Sequence, residues 1–303
     1  MSQGLRAVWS RGNGCVELAT LIDPDAQRIE GDLTEFIVGH RADVLVSKRF
    51  SASFDVIPTL VPFDVSFDRV DSVAALVAGG PHSELAARVA HRLGVTLAVP
   101  TRLECAYETD GGQVEALNVV ERLVALVPGV EAGILQAGSA SEVIEKTGDG
   151  TLLVVGAPGG SFLQRQFFGK GARLIAKSSI GAVAVREAPR RVFHGMDEPA
   201  YVSPHMGAGD AARLMPGGLI AVVEDGVLIG SVTGTSLLMA GDGPRVVDCM
   251  KEPVSLGRLD TVDDGIDRLR TLGVPSLPVV DDNMNLLGTA TVASLQTTPF
   301  ETG

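Results

Sequence analysis

LIGSVTGTSLL, residues 228–238, returns as LLGTATVASLQ, residues 286–296. Gly230, Thr233 and Ser236 match Gly288, Thr291 and Ser294. Further upstream, Met196-Asp197-Glu198-Pro199 recurs as Met250-Lys251-Glu252-Pro253. Each copy then runs into a helix-like stretch (Ala208 to Met215, Val262 to Leu272) and an apolar strand (Leu219 to Val223, Ser276 to Val280). An acidic turn follows, Glu224-Asp225-Gly226 in one copy and Asp281-Asp282-Asn283 in the other. The offset grows from 54 to 58, so the first copy lacks about one helical turn ahead of its strand. Self-similarity of this period marks a duplicated supersecondary unit, here strand–helix–strand–strand–helix.

Working upstream, residues 72–189 alternate strand and helix. Val73 to Val77 reads as a buried strand, and Pro81 opens a helix through Leu93 with Leu85, Val89 and Leu93 on one face. The pattern continues with strand Val95 to Val99, helix Val114 to Leu126, strand Ala132 to Leu135, helix Ser141 to Lys146 and strand Leu152 to Val155. Helix Ala172 to Lys177 and strand Ala182 to Val185 close the series. Such alternation predicts an α/β fold with a doubly wound parallel sheet, whose ligands sit at the carboxyl ends of its strands. In residues 1–71 the expected strands are Val16 to Ile22, Val44 to Val46 and Thr59 to Val61, with a helix near Leu33 to Val38. That segment is either an extra subdomain or an extension of the central sheet. The expected organisation is thus 1–71, 72–189 and 190–303, the last divided into copies 190–245 and 246–303.

The chain has 303 residues, enough for two average domains. Its net charge of −12 excludes a broad basic nucleic-acid footprint and disfavours anionic membranes. Any bound phosphate must therefore be held by backbone amides and a few local cations. Aromatics are 4% of residues, so the cores are built from Val, Leu, Ile and Ala. Cys15, Cys105 and Cys249 are far apart and form no CxxC, which reads as plain thiols rather than a disulfide framework or zinc site. No apolar run reaches the roughly 18 residues of a membrane span. The first residues lack a signal-peptide pattern, so a cytoplasmic location is the expectation.

The strongest candidate for chemistry is Gly156-Ala157-Pro158-Gly159, followed after nine residues by Gly169-Lys170-Gly171. It starts where a buried strand ends and finishes where a helix begins. Glycines allow close backbone approach, and free N–H groups at a helix start receive anions, with Lys170 and Arg165 adding charge. Spacing alone leaves open a glycine-rich loop with no ligand. Position 164 is Gln, so this is not a Walker A loop.

Gly-x2-Gly-x9-Gly after a buried strand, followed by a helix and VAVRE, resembles the universal stress protein fold. GGPHSELAARVAHRLG, residues 79–94, is similar to that family's first helix. The resemblance covers about residues 72–189 and implies a Rossmann-type domain with an ATP site. Carried over, Gly156, Gly159, Gly169, Lys170 and Gly171 would lie on the phosphate side, and Ala78 and Gly79 at the end of the first strand. Two departures stand out. The family's Ser or Thr after the third glycine is Lys170, and its strand-end Asp is Ala78. A rival alignment takes Thr59-Leu-Val-Pro-Phe-Asp64 as the first strand and recovers that Asp as Asp64.

Residues 190–303 resemble a tandem pair of CBS domains (cystathionine-β-synthase-type). The resemblance implies adenosine-nucleotide clefts, in which Gly-x-x-Thr-x-x-Asp supplies Thr to phosphate or ribose and Asp to ribose hydroxyls. Here the Thr positions are Thr233 and Thr291, while the Asp positions are Ser236 and Ser294. The competing reading is that Thr233 and Thr291 cap the following helices.

Catalytic constellations are sparse. His40, His82, His91, His194 and His205 show no metal spacing, no GxSxG occurs, and Ser83 beside His82 lacks an orienting carboxylate at a triad spacing. Asp263-Asp264 and Asp281-Asp282 read as a solvated helix start and turn. No metal and no enzymatic turnover are expected. The combined expectation is an adenine-nucleotide-responsive regulatory protein binding ATP, ADP or AMP, homodimeric and acting on an unidentified regulated protein. The alternative is a scaffold or regulatory subunit whose nucleotide sites have decayed. An ATP hydrolase has less support, because no acid–base or metal-binding pair is visible.

Overall fold

The computed structural model describes residues 5–12, 14–51, 54–157, 178–214, 218–241 and 243–297. The chain divides into two compact units that part between Ala188 and Pro189.

The first unit runs β1 (Ala7–Trp9), α1 (Cys15–Ile22), β2 (Gln27–Arg28), α2 (Leu33–Gly39), β3 (Val44–Val46), β4 (Thr59–Phe63) and β5 (Ser72–Val77). It continues α3 (Pro81–Leu97), β6 (Thr101–Tyr107), α4 (Gln113–Val124), β7 (Glu131–Gln136), α5 (Ala140–Thr147), β8 (Thr151–Gly156) and β9 (Ala182–Arg186). All nine strands join one sheet in the order β2-β1-β3-β4-β9-β8-β5-β6-β7. Every described neighbour pair is parallel except β4–β9. Residues 1–71 therefore extend the central sheet through β1 to β4. β4 closes against β9 from Thr59–Arg186 to Phe63–Ala182. Pro62 of β4 lies past the last β3–β4 pair, Val46–Leu60, where a missing N–H costs no ladder bond.

Alternation along the strands gives the sheet two buried faces. Ala74, Leu76, Leu153, Val155, Ala182 and Ala184 pack with Val143 of α5 on one of them. The intervening residues Val73, Ala75, Val77, Leu152, Val154 and Val183 are also buried, and α3 packs along β5, β8 and β9. Pro81 occupies the first turn of α3, where its missing N–H is harmless, and Leu85, Val89 and Leu93 bury one stripe. Each such side chain contributes about 1.5–3 kcal/mol by burial.

Two expected strands are corrected. Val16 to Ile22 belongs to helix α1, because Cys15, Leu18, Ala19 and Ile22 are the buried set and recur at helical spacing. Val95 to Val99 is not a strand either. α3 runs on to Leu97 and ends at Ala98 in the left-handed conformation, leaving Val95 61% exposed. The next strand is β6, where Gly94 leaves no room for a Cβ beside Thr101. The segment expected as a helix near Ala172 to Lys177 lies outside the described residues.

The second unit contains β10 (Tyr201–Val202), α6 (Ala208–Leu214), β11 (Leu219–Glu224), β12 (Val227–Thr233) and α7 (Gly234–Ala240). The same order then returns as β13 (Leu256–Gly257), α8 (Val262–Leu272), β14 (Ser276–Val280), β15 (Leu286–Thr291) and α9 (Val292–Gln296). The sheets are β10-β11-β12 and β13-β14-β15.

The copies grip each other reciprocally. Asp197 pairs with Thr289 through N–H···O bonds of 2.8 and 3.1 Å, and Ser231 with Lys251 through bonds of 3.0 and 2.9 Å. Gly288 therefore lies against the Asp197 carbonyl, and Gly230 against Met250 and the Lys251 carbonyl. Leu228 donates to Met284 O, Leu286 donates to Gly226 O, and Ala221, Val223, Leu228 and Val280 form a shared core. A Cβ at Gly288 would stand 2.6 Å from Asp197 O. Gly288→Ala should therefore cost about 1–3 kcal/mol in denaturant unfolding. Gly243→Ala, with nothing within 4 Å, should change stability by less than about 0.5 kcal/mol. Equal stabilities for the two variants would contradict this packing.

Candidate functional site

β5 is followed by β6 on one side of the sheet, whereas β8 is followed by β9 on the other. The strand order therefore reverses between β5 and β8, which pair from Ser72–Thr151 to Leu76–Val155. In open α/β sheets the crevice at such a reversal, outside the carboxyl ends, is the usual ligand position. Ala78 and Gly79 leave β5 there, and Gly156 ends β8 beside them. Ala157 is buried at 2% exposure. Gly159, Gly169, Lys170 and Gly171 lie outside the described residues.

The turn after β5 is fixed locally. Ser83 is buried, and its Oγ accepts from Ala78 N–H at 3.0 Å. Gly79 has φ +85°, and a Cβ there would meet Val119 at 3.0 Å, so a glycine is required on both counts. Arg122 Nη2 donates to Gly79 O at 2.8 Å. Between this turn and α4 lies a cavity of about 300 Å³ lined by Ala78, Gly79, Glu115, Asn118, Val119 and Arg122. The four α4 residues recur at i, i+3, i+4 and i+7, one helical face. Burial first, and the Glu115 charge second, push the nearby Cys105 thiol up to about 11, so it stays protonated.

Ala78 and Gly79, singled out in the sequence, line this cavity together with Glu115, Asn118 and Arg122, which no sequence pattern marks. Exposed polar residues on a helix carry no signal of their own until the topology sets a strand end beside them. Asp64, the rival strand-end carboxylate, is excluded from this place. It follows β4, whose carboxyl end pairs with the amino end of β9, at the opposite rim of the sheet from Ala78. The strand that leads into α3 is β5.

His82 and Glu187 stand at the same rim. His82 Nδ1 accepts from Glu187 N–H at 3.1 Å, which leaves the proton of the neutral ring on Nε2. Burial and then the Arg186 charge push its pKa down. Burial raises the Glu187 carboxyl to about 7, against opposing contributions from the Ala188 N–H and Arg88. A larger cavity, about 550 Å³, lies beside the amino-terminal end of β1. There Asp23 already accepts from Ala7 and Asp25 N–H, Arg92 donates to Ile22 O and Arg6 pairs with Asp43. Its position is the wrong end of a strand for the crevice rule.

In the second unit the motif residues form reciprocal caps. Thr233 Oγ1 accepts from Ser236 N–H at 3.1 Å, and Ser236 Oγ accepts from Thr233 N–H at 3.1 Å. Thr291 and Ser294 do the same at 3.0 and 3.0 Å. Each serine Oγ also donates to its threonine's carbonyl oxygen. The structure therefore displays the capping role at both positions. Among the described residues no cluster of three or more His, Cys, Asp or Glu is arranged to hold a metal ion. Nor is any described helix long and apolar enough to cross a membrane.

The family model described as "CBS domain" matches residues 190–243 and 246–296. The second unit is a tandem CBS pair. No curated protein matches the chain. Similar solved structures include the cytosolic domain of the Mg2+ channel MgtE in complex with ATP, at 22% identity and TM-score 0.33, over 35% of this chain and 47% of that one. CBSX2 in complex with AMP is similar at 23% identity and TM-score 0.32, over 35% and 93%. The CBS domain pair of MJ0100, in complex with 5′-methylthioadenosine and S-adenosyl-L-methionine, is similar at 17% identity and TM-score 0.31, over 35% and 93%. The matched region spans about half the length of the MgtE domain.

Glu187 makes the first unit sensitive to pH. Its folded pKa lies above the ordinary carboxylate value of 4.5, so the folded state holds the proton that the unfolded chain releases. The contribution of Glu187 to stability is fully present below pH about 4.5 and is lost as pH rises through about 7. Glu187→Gln should match the wild type near pH 4 and be more stable at pH 8 by roughly 3 kcal/mol, read by chemical unfolding at both pH values. An unchanged difference between the two would show that Glu187 is not buried as a neutral acid.

Proposed function

We propose that this protein is an adenine-nucleotide-responsive regulator that binds ATP, ADP or AMP without turning it over. In this reading the first unit is a universal-stress-protein-like domain and holds the nucleotide. The carrying observation is the cavity beside Ala78 and Gly79, at the point where the strand order reverses. The glycine loop that begins at Gly156 supports the reading from sequence, since it leaves the neighbouring strand end.

The CBS pair serves assembly in this proposal. Its motif hydroxyls cap their own helices, and Ser236 and Ser294 supply no carboxylate for a ribose. α6 and α7 pack together and leave Leu214, Leu238 and Met239 66%, 66% and 85% exposed. A second copy of the chain covers these apolar side chains in a homodimer.

Thermal unfolding of the full chain with ATP, ADP, AMP, cyclic di-AMP and S-adenosylmethionine tests the nucleotide reading. A ligand of the folded state at a hundredfold excess over its Kd adds about 2.7 kcal/mol. Ala78→Trp fills the cavity from an exposed strand end and should abolish the response while leaving the unliganded melting temperature near that of the wild type. No shift with any of the five compounds, or an equal shift in Ala78→Trp, would remove this site.

Assembly has its own measurement. The wild type should sediment as a dimer at micromolar concentration, and the double variant Leu238→Glu, Met239→Glu as a folded monomer. A monomeric wild type would end the dimer proposal.

A further inference from the structure

We infer that α4 carries the groups that select the nucleoside: the Glu115 carboxylate takes the paired ribose hydroxyls, and the Asn118 carboxamide meets the edge of the base. This rests on the nucleotide reading of the first unit and adds the residues that give it specificity. The cavity has two kinds of wall. Ala78, Gly79 and Val119 offer methyl groups and bare backbone, suited to the face of a planar ring. Glu115 and Asn118 offer polar ends from the α4 face. Its volume of about 300 Å³ is at the lower limit of small-molecule pockets. That admits a base and a sugar but not a polyphosphate.

The chemistry of the polar groups assigns the roles. Arg122 is already committed, donating to Gly79 O, and acts as a positioning residue for the turn. The side chains of Glu115 and Asn118 are exposed and make no hydrogen bond to another described residue. A carboxylate has two acceptor oxygens and no donor, which matches two hydroxyls on adjacent carbons and repels phosphate. The polyphosphate therefore points away from Glu115, toward the ends of β5 and β8. A carboxamide presents a donor and an acceptor side by side, the complement of an amino group next to a ring nitrogen.

The test is a titration of ATP, 2′-deoxyATP and GTP into the full chain by calorimetry. The variants are Glu115→Ala, Asn118→Ala and, as a charge-matched control on the same helix away from the cavity, Glu121→Ala. The wild type should prefer ATP over 2′-deoxyATP about tenfold, the effect of one charge-assisted hydrogen bond. Glu115→Ala should bring that ratio near one while still binding ATP, and Glu121→Ala should leave it unchanged. Asn118→Ala should narrow the preference for ATP over GTP. An unchanged ribose ratio in Glu115→Ala, or a wild type indifferent to the 2′-hydroxyl, overturns the assignment while the nucleotide reading stands. A wild type that binds none of the three overturns the nucleotide reading itself.

Discussion

The antiparallel ladder between β4 and β9 is the constraint on which the first unit depends. On one side of it four parallel strands run β2-β1-β3-β4, and on the other five run β9-β8-β5-β6-β7. Five residue pairs, Thr59–Arg186 to Phe63–Ala182, join the two sets. At its end Gly181, with φ +95°, lies so close to the Phe63 and Asp64 carbonyl oxygens that a Cβ would stand 2.5 Å from each. No other residue type fits that approach without moving the seam. With β9 seated there, β8 lies between β9 and β5, and the reversal of strand order falls beside Ala78.

The second unit obeys a different rule, symmetry. The Met-x-Glu-Pro start of each copy lies on the other copy, and the glycine of each Gly-x-x-Thr motif makes room for it. Gly288 receives Asp197, and Gly230 receives Met250 and Lys251. The residues that repeat in sequence are thus largely those that touch across the pair. The repeat was legible because a reciprocal contact imposes the same demand twice. Thr and Ser repeat for a local reason as well: a cap needed twice repeats as faithfully as a ligand site.

Elsewhere legibility followed the amount of pattern in each segment. β5, α3 to Leu93, β8 and β9 were readable, since buried β-branched runs alternate there with a long apolar stripe. VTLAV at residues 95–99 misled because a short apolar run suits a strand or a helix end equally, and only burial separates them. The same ambiguity hid α1, although Cys15, Leu18, Ala19 and Ile22 hold the helical spacing once the run is read from Cys15 rather than Val16. On α4 the run Leu117, Val120 and Leu123 stands at helical spacing, yet Leu117 is 42% exposed while Ala116 is buried. The polar face of that helix lines the cavity, and a solvated face looks the same in sequence.

Polar groups at the two candidate sites differ in what they still lack. Thr233, Ser236, Thr291 and Ser294 satisfy one another's hydroxyls and backbone amides without a ligand. A nucleotide binding there must offer more than the caps already supply, and serine brings no charge to strengthen the exchange. Glu115 and Asn118 face a cavity already bounded on the other side by a turn that Ser83 and Arg122 hold in place. A ligand entering it displaces water and makes new hydrogen bonds without breaking any within the protein, and little ordering is left to be done. Under the proposed function, that difference, rather than the strength of any family motif, ranks the first unit above the CBS pair as the place for a nucleotide.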